Sequence, residues 1–258
     1  VADSDLLNII NIDTLRSVLR TYKNSPSVMD DYVVMMLLIG NDFIPTHPTF
    51  ANLTEVSDKL LDVYTSDNYT LTITDTDVPN NTRKRINWKA MAKFLDVLGQ
   101  SEGGLLLSQT TANPEYPFQT LLRAIHQKQF YPDEFRRLWY EKIFTTKSTG
   151  DFARTIYEII GSYEAVPDDQ YLFNSGWQLT PDDFFAITDD NIVTMCQAYF
   201  KTMEWVYLYY KEGTAAVNFD WFYPYYYAPL IRDLAAVAVA AVAVDDDAEH
   251  QQQPHQQP

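Results

Sequence analysis

The sequence predicts a predominantly helical chain. Apolar residues recur at spacings of three and four through most of it, one short stretch alternates as a strand would, and prolines and glycines punctuate the periodic segments. Asn8 to Tyr22 reads as a helix with Ile9, Ile12, Leu15, Val18 and Leu19 on one side. Pro26 ends that segment and Ser27 offers a cap for the next. Val28 to Ile39 is apolar nearly all round, interrupted only by Asp30, Asp31 and Tyr32, which is the pattern of a buried helix that stops at Gly40. After a turn over Gly40 to Pro48, Leu53 to Tyr64 is amphipathic through Val56, Leu60, Leu61 and Tyr64.

Thr70 to Thr74 alternates as a short strand, and Asp75 to Arg85 reads as a polar loop with a basic triplet. Helical periodicity resumes over Asn87 to Leu98 through Trp88, Met91, Phe94, Leu95 and Leu98. Gly99 to Pro117, with consecutive glycines and two prolines, predicts a linker or flexible loop, centred on residues 101–117. Asp133 to Phe144, Ile156 to Tyr163 and Ile192 to Tyr210 are helical by the same test. Residues 235–258 form a low-complexity tail, expected to be disordered from 245; its Ala235 to Val244 run reads either as a short apolar helix or as a stretch whose natural side chains differ.

With 258 residues, 46% of them hydrophobic, the chain can bury the core of one large or two modest domains. One cysteine, Cys196, excludes an internal disulfide framework and a cysteine-based zinc site, and the four histidines lack ligand-like spacing. The longest strictly apolar run, Ala235 to Val244, is short of the roughly 20 residues a membrane-spanning helix needs. A soluble, intracellular protein is expected, with no membrane partner. The formal charge of −16, from 35 acids against 19 bases, argues against non-specific polyanion binding, so any nucleic-acid site must be local.

Three motifs carry chemistry. Leu38-Ile39-Gly40-Asn41-Asp42-Phe43-Ile44-Pro45 breaks a buried helix at glycine and projects Asp42 from the turn. A carboxylate there meets the unfavourable end of the helix dipole, which a bound cation would offset; a capping turn with a solvated Asp is the plainer reading. Asp3-Ser4-Asp5 could face one metal from a strand end, or supply acids to a first helical turn. The aromatic stretch from Trp205 to Tyr210 and from Phe219 to Tyr227 could stack on nucleobases or fill a core, and Trp205 and Tyr209, on one helical face, read as core. Arg83-Lys84-Arg85 and Arg136-Arg137 read as solvated surface.

Taken in order, Asp-x-Asp-Leu, Ile-Asn-Ile-Asp-Thr-Leu-Arg, Leu-Leu-Ile-Gly-Asn-Asp-Phe-Ile-Pro, Ile86-Asn87-Trp88, the Tyr199 to Tyr210 segment and Trp-Phe-Tyr-Pro-Tyr-Tyr-Tyr-Ala-Pro resemble XRN-type 5′-to-3′ exoribonucleases over residues 3–233. The resemblance implies part of an α/β nuclease core of the flap-endonuclease superfamily over residues 1–100, followed by a mostly helical second segment over 118–234 with an aromatic RNA-facing region. It implies hydrolysis of single-stranded RNA bearing a 5′-monophosphate, with two Mg²⁺ (or Mn²⁺) ions held by a cluster of acids. Asp3, Asp5 and Asp42 match the family's metal-binding and catalytic carboxylates. Trp221, Phe219 and Asn41 match its RNA-binding positions, and Gly40 and Pro45 its structural turn.

The chain departs from the family pattern in having Phe219-Asp220-Trp221 where Trp-x-Trp is usual, Tyr226 where His often stands, and a short interval between Asp5 and Ile10. Nothing in it matches the family's N-terminal portion, which supplies the other acids and the 5′-phosphate pocket. Three carboxylates are too few to hold two ions tightly. The chain is therefore read in two ways: part of an active exoribonuclease, or a non-catalytic relative serving as a scaffold or structural subunit. Both fit a cytoplasmic or a nuclear protein, cellular or viral.

Overall fold

The computed structural model describes residues 11–50, 53–74, 84–112, 132–145 and 188–251. The Asp3-Ser4-Asp5 pair, the expected helix over Ile156 to Tyr163, and the part of the expected linker after residue 112 lie outside them. The chain is predominantly helical, as expected.

Helix α1 spans Ile12–Tyr22, and the Asn11 side chain caps it by accepting from the Thr14 N–H at 3.0 Å. Helix α2 spans Val28–Leu37 and buries Val28, Val34, Met35 and Leu37. A 3-10 turn at Pro48–Phe50 leads to α3, Leu53–Ser66. Strands β1, Thr72–Thr74, and β2, Lys84–Ile86, pair antiparallel with Ile73 opposite Arg85 and form the only sheet among the described residues.

Helix α4, Trp88–Ala112, is longer than its periodicity predicts and carries the chain through residues 101–112, where the two glycines suggest a linker. Gly99 does not break the helix. A Cβ there would stand 3.4 Å from the Arg232 Cα, so its absence lets another helix approach closely. Helix α5 is Pro132–Thr145 and α6 is Asp189–Glu212, the latter capped by Thr188, whose side chain accepts from the Asn191 N–H. Helix α7, Ile231–Gln251, includes the Ala/Val run and continues past residue 245, where composition predicts disorder. Its small side chains explain the pairing with α4: Ala235 and Ala238 are buried beside Leu234 and Val237. Among the described residues no helix is long and apolar enough to cross a membrane.

Helix α6 is the hub. Met195, Cys196, Tyr199, Phe200, Met203 and Val206 are all fully buried, and each large apolar side chain so placed contributes about 1.5–3 kcal/mol. Asp31, 0% exposed, accepts from the hydroxyls of Ser27 (2.9 Å), Tyr64 (2.7 Å) and Thr72 (2.7 Å), joining α2, α3 and β1. Its neighbour Asp30 binds Lys84 and Lys211, both at 2.6 Å, and so ties α2 to β2 and to the end of α6. Arg136 spans Asp233 at 2.8 Å and Asp189 at 3.0 Å, linking α5 to the first turns of α7 and α6. Lys84 and Arg136, which read as solvated surface in the sequence, are therefore framework cations.

Candidate nucleic-acid interface

The end of α2 is built to present a turn. The N–H groups of Leu38, Ile39 and Gly40 close on the carbonyls of Met35, Met36 and Leu37, each at 3.1 Å, tightening the last turn. Gly40 then adopts φ 96°, and a Cβ there would lie 2.7 Å from the backbone of Thr46, so no other residue fits. Asn41 locks the next three residues: its N–H donates to the Ile44 carbonyl at 2.9 Å. Its side-chain Oδ1 accepts from the Phe43 and Ile44 N–H groups at 2.8 and 3.0 Å. Ile44 is buried beneath the turn, Pro45 is half-buried, and Asp42 stands exposed at the tip.

Beside that tip lies a deck of four rings. Trp205 and Tyr209, one turn apart on α6, stack at 5.5 Å with planes 19° apart. Phe43 meets Trp205 at 5.1 Å and Tyr209 at 5.4 Å. From the 218–221 segment Phe219 stands edge-on to the same two rings, at 5.6 and 6.2 Å. Trp205 is 4% exposed, whereas Phe219 is 60% exposed and Phe43 37%. The Trp205 indole N–H donates to the Asn218 carbonyl at 2.6 Å, which fixes the segment carrying Phe219. Tyr210 flanks the deck; burial and then the Asp42 charge raise its hydroxyl pKa.

The sequence-predicted residues are thus brought together in part. The turn that carries Gly40, Asn41, Asp42 and Pro45 meets Trp205 and Tyr209 through Phe43, and Phe219 meets the same two rings. Trp221 packs one turn earlier along α6, where its indole donates to the Thr202 hydroxyl at 3.2 Å and the Lys201 ammonium lies 4.2 Å from its ring centre. Trp205 is core as expected, but it is also the floor of the deck. Tyr210 belongs to the aromatic stretch singled out in the sequence, and Phe43 to the turn motif; what sequence reasoning misses is that the Phe43 ring packs on Trp205 and Tyr209. Among the described residues no group of three or more His, Cys, Asp or Glu could hold a metal ion.

Behind the turn lies a buried polar hub. Glu102 on α4, 1% exposed, accepts from the Ile231 N–H (2.8 Å), the Arg232 N–H (3.2 Å) and the Thr49 hydroxyl (3.1 Å), and so caps α7 from outside. Burial pushes its carboxyl up to about 7, against those three hydrogen bonds. Burial pushes the His47 imidazole down to about 3. Thr49 N–H donates to its Nδ1 at 3.3 Å, and the Pro229 backbone partly offsets the effect of burial.

The sequence profile of the family described as "Xrn1 helical domain" matches residues 22–134 and 145–253. The match runs unbroken across residues 101–117. Among curated proteins, the chain is 34% identical over 76 residues to 5′-3′ exoribonuclease 2 of Saccharomyces cerevisiae, 30% of this chain and 7% of that protein. It is 20% identical over 230 residues to human 5′-3′ exoribonuclease 1, 83% of this chain and 13% of that protein. It is 35% identical over 81 residues to the Caenorhabditis elegans 5′-3′ exoribonuclease 2 homolog, 29% of this chain and 8% of that protein. The chain spans a small fraction of the length of the curated relatives it matches.

Proposed function

The chain belongs to the XRN family, and on that premise we propose that it is the helical portion of a 5′-to-3′ exoribonuclease that degrades single-stranded RNA carrying a 5′-monophosphate to mononucleotides. The observation that carries the reading is that the Asp42 turn, through Phe43, and the exposed Phe219 meet on one pair of rings, Trp205 and Tyr209. An exposed ring seated on a rigid floor stacks on any base, because every base has a π-face. A strand can then advance without sequence being read. Trp221 with Lys201 above it offers a second ring and a cation one helical turn away.

Mg²⁺ or Mn²⁺, as two ions, is the cofactor the family resemblance implies; when bound, such ions generate hydroxide and stabilise the leaving oxygen. Asp42 offers one hard oxygen donor at an exposed tip. Asp3 and Asp5 lie outside the described residues, and the described residues do not make an ion site by themselves. Asn41 has its Oδ1 committed to the turn, so its part in RNA binding is to hold Asp42 and to offer its amide N–H₂. An intracellular setting, cytoplasmic or nuclear, completes the reading.

Titration of the full-length protein with a fluorescent oligoribonucleotide tests the stacking. Phe219→Ala is expected to weaken binding by about 1–3 kcal/mol, without regard to sequence. A second reading, a non-catalytic scaffold or structural subunit, is favoured by the pairing of Lys84, Lys211 and Arg136 with internal carboxylates and by the net charge of −16. It expects no RNA binding by the full-length protein and no effect of Phe219→Ala.

A further inference from the structure

We infer that Phe43 is the positioning residue of the Asp42 turn: its ring clamps residues 40–45 onto α6, so that the Asp42 carboxylate and the exposed Phe219 ring keep one fixed spacing along a bound strand. The inference rests on the proposed role of Asp42 and Phe219 in RNA hydrolysis.

The turn is internally rigid, because Asn41 satisfies the N–H groups of Phe43 and Ile44 and Gly40 closes against Thr46. Those bonds set its shape. They do not set its place relative to α6, which starts at Asp189, far along the chain. Phe43 supplies that link by meeting Trp205 and Tyr209 in tilted and edge-on contacts, the geometries that aromatic quadrupoles favour. Phe219 meets the same two rings, at interplanar angles of 89° and 86°. Trp205 cannot drift, since its indole N–H is held by the Asn218 carbonyl and its body is buried. Phe43 and Phe219 therefore share one fixed pair of rings, and the acid next to Phe43 is indexed to the ring that would stack on a base. A carboxylate misplaced by about 1 Å at a reacting centre is enough to cost about 100-fold in rate.

The full-length protein is compared as wild type, Phe43→Ala, Phe43→Leu and Phe43→Tyr, by amide hydrogen exchange over residues 40–46 and by kcat and KM on 5′-monophosphorylated RNA. Phe43→Ala and Phe43→Leu are expected to speed exchange in the turn by about ten-fold while α2 keeps its protection. Both are expected to lower kcat by about 100-fold with KM within about two-fold of wild type, and Phe43→Tyr to restore both readouts. Unchanged exchange over residues 40–46 in a folded Phe43→Ala or Phe43→Leu protein overturns the inference, as does faster exchange with a wild-type kcat. If the wild type hydrolyses no RNA, the nuclease reading fails on its own, and the exchange experiment alone decides whether Phe43 fixes the turn.

Discussion

Glu102 on α4 accepts a 2.8 Å hydrogen bond from the backbone N–H of Ile231, the first residue of α7. A carboxylate from one helix thus caps another 129 residues away in sequence. Its burial raises the pKa to about 7 from the ordinary glutamate value of 4.5, so over that range the folded chain holds a proton that the unfolded chain has released. Stability from this group is fully present below pH 4.5 and is lost as pH rises through 7. Across that window the loss is roughly 3 kcal/mol. Glu204 adds a slope of the same sign, and His47, lowered to about 3, one of opposite sign as pH falls below 6.5. Urea unfolding at pH 5 and pH 8 is expected to show that Glu102→Gln gains on wild type as pH rises; parallel pH profiles would contradict it.

Asp31 gathers three hydroxyls at a fully buried point. Removing its carboxylate leaves Ser27, Tyr64 and Thr72 without this acceptor, a cost of about 3–5 kcal/mol, because buried unpaired donors lose their full solvation. Asp31→Asn keeps one acceptor oxygen and is expected to fall between wild type and Asp31→Ala. Denaturant midpoints of the three proteins rank them.

Gly40→Ala places a Cβ 2.7 Å from the Thr46 backbone at a φ of 96°. The strain is about 1–3 kcal/mol, and relief requires moving the turn that carries Asp42. Calorimetry should record a lower unfolding temperature, and RNA hydrolysis by the full-length protein should fall with it. An unshifted unfolding temperature would show that the turn has room to adapt.

Arg136 holds Asp233 and Asp189 with separate nitrogens of one fork. Arg136→Lys replaces that fork by a point charge and is expected to cost about 1 kcal/mol, a small effect because the side chain is partly exposed. Arg136→Met should cost more, since it removes the charge that Asp233 faces and leaves it the Tyr140 hydroxyl. Chemical unfolding of both variants separates the fork from the charge.

The helices with clean periodicity were legible in the sequence, α2 above all, because an all-round apolar segment closed by Gly40 has few alternatives. What failed was local reading at positions set by distant partners. Gly99 and the glycines after it looked like breakers, but Gly99 is where α7 approaches α4, and Glu102 sits inside the expected linker because it caps that approaching helix. Lys84 and Arg136 looked like surface because their acids, Asp30 and Asp233, are far away in sequence. At the candidate site, Gly40, Asn41 and Asp42 were legible as a motif. Phe43 was legible as part of that motif, but its ring contacts were not, since they depend on Trp205 and Tyr209 arriving from α6.

In the proposed mechanism Asp42 works on RNA held against the deck. Release of mononucleotides from a 5′-monophosphorylated RNA in Mg²⁺, by the full-length protein and by its Asp42→Asn variant, tests this most directly. Loss of release in a folded Asp42→Asn protein is the predicted result. Equal rates from the two proteins would contradict the account.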